Sequence, residues 1–259
     1  MLLTTDIGNT NITLGLFEQD EFKDEFRLTS DRDLNQIEYE NLLKSIFKGY
    51  RIDGCIMASV VNELDEKFKN ALQHVFHLEP ILVSNEINCG VKIVADNPDE
   101  VGADRIANAA AVAKMNIGAA IVVDFGTATT FDIINSEKEF CGGIIMPGLK
   151  TQLKSLYDKT SKLPQIEIDF SAKALAQNTK DAILAGVVRG SACAVDGLIE
   201  QCEKELNKKV TIIATGGYCG LMANYMKRKF DYVNPILTLD GLKYIYKLNS
   251  IENSTKIND

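Results

Sequence analysis

The chain has 259 residues, 46% of them hydrophobic and 25% charged, with a formal net charge of −8. That length exceeds what one compact core needs and suits two linked domains, while the acidic balance argues against nucleic acid as the main partner. The longest apolar candidate for a membrane span, Gly118 to Val123, is short and ends at Asp124, so no membrane association is expected.

Leu2 to Phe17, LLTTDIGNTNITLGLF, reads as an apolar strand bearing Asp6, a tight Gly8-Asn9-Thr10 turn, and a second apolar strand from Ile12. Gly8 can take φ > 0 without steric cost, and with Asn9 it reads as a hairpin turn whose backbone N–H groups face outward. Such a turn can cradle phosphate, and an acid beside it can hold a hydrated cation. The alternative is an ordinary hairpin with an Asp at the strand end. Glu21 to Leu28 alternates as a third strand, and Ile37, Leu42, Leu43, Ile46 and Phe47 recur at helical spacing. A strand from Ile52 to Ser59, a helix marked by Leu64, Phe68, Leu72, Val75 and Phe76, and a strand from Pro80 to Ser84 follow. A third helix begins near Gly102 and runs through ADRIANAAAVAKM, whose alanines predict close packing against another element.

The second half repeats this order. Ile121 to Ile134, IVVDFGTATTFDII, places Asp124 at a strand end before a turn of Gly126, Thr127, Ala128 and Thr129, 118 positions after Asp6. Two copies of strand, acid, Gly-Thr turn and strand predict a duplicated domain with two turns converging on one cleft. Strands are expected at Ala120 to Asp124, Thr129 to Asn135 and Phe140 to Ile145, with Pro147-Gly148 opening a helix. Lys180 to Leu206 reads as a long helix and Val210 to Ala214 as a strand. Gly216-Gly217 lead into a helix through Met226, and Asp231 to Leu237 and Asp240 to Lys247 supply a last strand and helix. The expected domains are 1–117 and 118–248, with an insertion near 156–178 and a polar, frayed tail over 249–259.

Six cysteines, Cys55, Cys89, Cys141, Cys193, Cys202 and Cys219, form no CxxC pair, and the only histidines are His74 and His77. This argues against a zinc site and for a reducing compartment. No signal-like segment opens the chain, which points to the cytoplasm.

D-x-G-N-T, G-A-D-R, D-F-G-T-A-T-T, G-G-x-I-x-P-G and T-G-G before a helix occur in this order between Leu2 and Tyr246. With this spacing the chain resembles the type III pantothenate kinases. The resemblance implies an α/β fold of two ribonuclease H-like domains, of the actin, sugar kinase and Hsp70 superfamily, with ATP in the cleft between them. It implies phosphorylation of pantothenate to 4′-phosphopantothenate, the first step of coenzyme A biosynthesis.

By position, Asp6, Ile7, Gly8, Asn9, Thr10, Asn11, Ile12 and Thr13 would face the ATP phosphates, with Asp6 near Mg²⁺ through water. Thr127 would be a second phosphate contact, and Gly216 and Gly217 would let the backbone pass close to the adenosine. Gly102, Ala103, Asp104 and Arg105 would bind pantothenate, Asp104 as the catalytic acid-base residue, and Thr179 would touch the substrate. Asp124 would hold the monovalent cation, K⁺ or NH₄⁺, that this family requires. The family usually has a Tyr seven residues before the first Gly of GADR, where this chain has Ala95.

The residues themselves bear on three of these assignments. At a helix start and beside Arg105, Asp104 is expected to stay ionised, the alternative role being that of a cap. Asp124 has no Lys or Arg within its own segment, so a cation is a natural partner; Mg²⁺ through water or a distant basic residue would serve as well. Ala182 to Ile199 carries small residues that allow close helix approach, either across a homodimer or within an intramolecular core. The two turns alone also fit a nucleotide-binding regulator or chaperone-like relative of actin, or a sugar or acetate kinase.

Overall fold

The computed structural model describes residues 1–171 and 173–255. Residue 172, in the expected insertion, and residues 256–259, in the expected tail, lie outside the described residues. The chain divides into two compact units: Met1–Asn116, Lys138–Phe140 and Leu237 onward make unit 1, and Ile117–Glu137 and Cys141–Ile236 make unit 2.

Unit 1 opens with β1 (Leu2–Ile7), β2 (Asn11–Glu18) and β3 (Glu21–Thr29), continues with α1 (Gln36–Ile46), β4 (Gly54–Ser59), α2 (Asn62–Phe76) and β5 (Ile81–Leu82), and reaches α3 (Ala103–Met115). The strand order is β3-β2-β1-β4-β5. Antiparallel pairing joins β1 to β2, and parallel pairing joins β1 to β4. A two-residue strand β6 (Lys92–Ile93) and a 3-10 turn at Pro98–Glu100, neither expected, fill the approach to α3. β6 pairs in parallel with Glu139 and Phe140.

A capping box starts α1: the Asn35 side chain accepts from the Glu38 N–H, and the Glu38 carboxylate accepts from the Asn35 N–H. Its buried stripe is Tyr39 and Leu43; Ile37, expected to belong to the apolar face, is 66% exposed.

The last helix, α8 (Leu237–Thr255), packs on α3. A Cβ built at Gly241 would fall 1.9 Å from the Ala107 carbonyl oxygen, so the backbones meet without a side chain between them. This corrects two boundaries: α8 belongs to unit 1 rather than to a second domain ending at 248, and residues 249–255 continue the helix rather than fray. The alanine face of α3 provides the reason, since only a close-approaching helix covers it.

Unit 2 holds β7 (Ala120–Phe125), β8 (Ala128–Ile134), β9 (Glu139–Pro147), whose opening residues cluster with unit 1, and α4 (Leu149–Lys159). After an irregular stretch come α5 (Thr179–Leu184), a π-turn at Ala185–Arg189, α6 (Gly190–Leu206), β10 (Thr211–Thr215), α7 (Cys219–Met222) and β11 (Tyr232–Val233). Its strands run β11-β10-β7-β8-β9. Each unit thus has a central strand flanked by an antiparallel hairpin partner on one side and a parallel strand on the other.

Thr179–Leu206 is one helical stretch of 28 residues, long and apolar enough by length and composition to cross a membrane, contrary to the sequence expectation. Half of its most apolar window is buried, with Ile183, Val187, Val188, Val195 and Ile199 in the unit 2 core, which accounts for the composition. The helix after Gly217 ends at Met222 rather than Met226, because Asn224 and Tyr225 bond three residues back, to Leu221 and Met222.

Candidate active site

Asp6 is the penultimate residue of β1, opposite Thr13 on β2 and Ala58 on β4. The Gly8 N–H donates to the Asn11 carbonyl at 3.0 Å and closes the turn. Ser30 braces it twice: its hydroxyl donates to the Gly8 carbonyl at 2.5 Å, and its N–H to the Thr10 carbonyl at 3.1 Å. Arg32 Nη2 donates to Asn9 Oδ1 at 3.1 Å. Asn9, Thr10 and Asn11 are exposed and Thr13 is half-buried, while Ile7 and Ile12 are fully buried. Gly8 is not at positive φ, so the turn does not use the conformational freedom that glycine permits. Its use is spatial, since a Cβ there would approach the Asn11 carbonyl oxygen to 3.3 Å.

At the start of α3, Gly102 is the N-cap, and Asp104 Oδ1 accepts from the Arg105 N–H at 2.8 Å. A Cβ at Gly102 would lie 2.6 Å from Asp104 Oδ1 and 3.2 Å from Val60 Cγ1. Val60 in turn donates its N–H to the Ile7 carbonyl at 3.0 Å. Gly102, Ala103 and Asp104 therefore share one edge of unit 1 with the end of β1. Arg105 stacks its guanidinium 5.2 Å from the centroid of the Phe140 ring. Burial pushes the Asp104 carboxyl above its ordinary value of 3.8, and the Arg105 N–H and charge offset this only in part. The expectation that the helix start keeps this acid readily ionised is corrected accordingly: desolvation outweighs it. Ala95 is half-buried between β6 and the 3-10 turn.

In unit 2, Asp124 occupies the penultimate place on β7, opposite Thr130 on β8 and Thr215 on β10. The Gly126 N–H donates to the Ala128 carbonyl at 3.0 Å. The Thr127 carbonyl accepts from the Gly148 N–H at 3.1 Å and from Thr151 Oγ1 at 2.7 Å, which leaves the Thr127 side chain exposed. A Cβ at Gly148 would sit 2.4 Å from the Gly126 carbonyl oxygen, so only glycine lets α4 start directly against this turn. Gly216 has φ +83°, and a Cβ there would lie 2.3 Å from Asp124 Oδ1. Gly217 is exposed. Among the described residues no group of three or more His, Cys, Asp or Glu could hold a metal. The donor set suits a hard cation carried largely by phosphate, water and carbonyl oxygens, with one carboxylate.

Thr179 is the exposed first residue of α5, following Asn178, whose side chain accepts from the Asp181 N–H at 2.9 Å. It lines an open groove of about 980 Å³ with Thr151 and Gln152 of α4 and with Leu163 and Gln177 of the irregular stretch. Sequence reasoning missed Ser30, Arg32 and Val60, which carry no local signal because they act on residues distant in the chain.

The chain matches the family model described as Type III pantothenate kinase over residues 2–201. It is 42% identical over 255 residues to the Type III pantothenate kinase of Dehalococcoides mccartyi strain CBDB1, covering 96% of this chain and 97% of that one. To the Type III pantothenate kinase of Exiguobacterium sibiricum it is 38% identical over 254 residues, covering 96% and 100%. Among solved structures, the activator of the 2-hydroxyisocaproyl-CoA dehydratase from Clostridium difficile, with bound ADPNP, superimposes at a TM-score of 0.53 with 10% identity, covering 98% and 97%. That likeness concerns the fold alone, an α/β architecture.

Proposed function

Because the chain belongs to the type III pantothenate kinase family, we propose that it transfers the γ-phosphoryl group of ATP to the 4′-hydroxyl of pantothenate, giving 4′-phosphopantothenate and ADP. This is the first step of coenzyme A biosynthesis, and the reading places it in the cytoplasm, in keeping with six free cysteines. One observation carries the chemistry: a carboxyl lifted in pKa by burial, Asp104, stands on the same edge of unit 1 as the Asp6 hairpin.

In this reading the substrate hydroxyl oxygen bonds to the γ-phosphorus as the bond to the β,γ-bridging oxygen breaks, and the hydroxyl proton passes to Asp104. Phosphoryl transfer is loose, so most of the catalysis is positioning and charge neutralisation, and Asp104 accepts its proton late. The turn from Gly8 to Asn11 offers N–H, amide and hydroxyl donors to the ATP phosphates, and Thr127 offers its exposed hydroxyl. Asp6 would hold Mg²⁺ through water, which would supply charge neutralisation at the phosphates, and Asp124 would hold a monovalent cation, while Gly216 and Gly217 would leave room for the adenosine. Gly102 to Arg105 and Thr179 bind pantothenate.

A homodimer completes the reading. Ala182, Gly186, Gly190 and Cys193 present an exposed small-residue face opposite the buried stripe of the same helix, and a Cβ at Gly186 or Gly190 would meet nothing within 4 Å. A stable, fully active monomer in sedimentation would exclude it. The activity itself is tested by an acceptor screen with labelled ATP: labelled 4′-phosphopantothenate is the expected product, and label only on sugars or acetate overturns the reading.

A further inference from the structure

The groove at Thr179 has two walls, and they are secured differently. On the α4 side, Gln152 Nε2 donates to Ser191 Oγ at 3.0 Å and to the Pro147 carbonyl at 2.8 Å, tying a regular helix to its neighbour. The opposite wall includes Leu163, Ala176 and Gln177, from a stretch without regular structure. The described residues of that stretch between Leu163 and Gln177 belong to no helix or strand ladder, and Leu175 among them is 84% exposed.

This second wall is fastened at Ser171, eight positions before Thr179 and only 4% exposed. Both backbone groups of Ser171 are taken by side chains from other elements. Its N–H donates to Tyr225 Oη at 2.7 Å, and its carbonyl accepts from Arg189 Nη2 at 2.7 Å. The Arg189 guanidinium also lies 5.2 Å from the centroid of the Tyr225 ring, so the two gripping side chains hold each other. Phe170 adds a tilted ring contact with Tyr225 at 5.6 Å. Arg189 stands at the end of the π-turn, where the Gly190 N–H reaches back five residues to the Ala185 carbonyl. A π-turn sacrifices helical regularity, and such turns recur beside functional sites.

We propose that Arg189 and Tyr225 are positioning residues for pantothenate. They fix Ser171, and through it the stretch that carries Thr179 and the irregular wall of the groove. The proposal rests on reading Thr179 as a pantothenate contact. Neither residue touches substrate; their effect passes through the placement of a backbone, and a misplacement of about 1 Å can cost up to roughly a hundredfold in an oriented site.

The test measures KM for pantothenate, KM for ATP, kcat and amide hydrogen exchange for the full chain and for Arg189→Ala, Tyr225→Phe and Thr179→Val. The expected result for both clamp variants is a pantothenate KM raised about tenfold, ATP KM unchanged, kcat within about twofold, and faster exchange over 163–178 than elsewhere. Tyr225→Phe removes one oxygen and keeps the ring, so it decides the matter if Arg189→Ala does not fold. An unchanged pantothenate KM, or an equal rise in both KM values, overturns the proposal. The two levels separate cleanly: if Thr179→Val leaves the pantothenate KM unchanged, the reading of Thr179 fails and the proposal falls with it. If that variant raises KM and the clamp variants do not, only the clamp is refuted.

Discussion

The two units share a frame and differ in how each secures its turn. In both, an aspartate sits one residue before the end of the central strand, with a threonine opposite it on the hairpin partner: Asp6 with Thr13, and Asp124 with Thr130. The parallel neighbour brings Ala58 in one case and Thr215 in the other. In both, the glycine two places after the aspartate closes the turn through its N–H, Gly8 to the Asn11 carbonyl and Gly126 to the Ala128 carbonyl; beyond this the likeness stops. The turn of unit 1 is braced by Ser30 and Arg32 from the connection after β3, which leaves Asn9 and Thr10 exposed. The turn of unit 2 is pinned by Gly148 and Thr151 at the start of α4, and Gly216 closes on Asp124 from the side. Common strand topology fixes where an acid stands; the chain segments that follow decide how much room surrounds it.

The largest test of this asymmetry is Asp104→Asn, which alters the acid at the start of α3 in unit 1. Loss of a positioned base lowers kcat by about two to four orders of magnitude. Turnover within about threefold of wild type would refute the assignment. The same variant is expected to melt no lower than wild type near neutral pH. With its pKa raised in the folded state, Asp104 binds its proton more tightly there than when unfolded, so ionisation costs stability as pH rises above the ordinary value of 3.8. Removing the charge removes that cost.

Second comes Gly216→Ala against Gly8→Ala. A methyl at Gly216 meets Asp124 Oδ1 at 2.3 Å and a left-handed backbone, and is expected to cost about 2–4 kcal/mol in denaturant titration. At Gly8 the closest atom is 3.3 Å away and the cost is expected below about 1 kcal/mol. Equal losses would mean that the two turns are equally crowded.

Third, each unit buries a charge, and the one in unit 2 carries a pH dependence. Lys243 in unit 1 donates to the Asp20 carbonyl at 3.0 Å and to Asp240 Oδ1 at 3.1 Å, over the Phe17 ring. Glu203 in unit 2 is 6% exposed. Burial is the largest influence on it and pushes its pKa up, but hydrogen bonds from Arg228, Lys209 and the Val210 N–H outweigh burial and leave it at about 2. A depressed carboxylate stabilises the fold above its unfolded pKa, near 4.5, and loses that contribution as pH falls through about 2. On the order of 3 kcal/mol should disappear across this window in wild type and not in Glu203→Gln, measured by denaturation at each pH. Identical pH slopes would rule out the contacts of Glu203 with Arg228, Lys209 and Val210 as a source of stability.

The smallest expected effect concerns Asp124. Turnover measured in sodium or Tris buffer, with potassium or ammonium added back, should rise roughly tenfold for wild type and stay flat for Asp124→Asn. A wild-type rate indifferent to the added ion would remove the cation from the reading.

The duplication was legible because Asp-x-Gly turns between apolar strands are local signals, and the strand ends fell within a few residues of their expected places. The alanine run of α3 also announced a close neighbour. Which neighbour it was could not be read locally: Gly241 meets Ala107 across more than a hundred positions, and α8 follows the strands of unit 2 in the chain while packing in unit 1. The protonation tendency of Asp104 was misjudged for a related reason. The helix start and Arg105 are visible in sequence, whereas the desolvation that outweighs them arises from the folded surroundings. The clamp on Ser171 was invisible because Arg189, Tyr225 and Ser171 belong to three separate segments.

The path of the chain also bears on the order in which its units can fold during synthesis. Unit 2 is built almost wholly from the contiguous stretch between Ile117 and Ile236, whereas unit 1 needs residues from Leu237 onward to cover α3. A nascent chain emerging from the ribosome can therefore assemble the second unit while the first, though translated earlier, still shows the bare alanine face of α3 to chaperones and to other chains. The earliest residues made are among the last to be sealed.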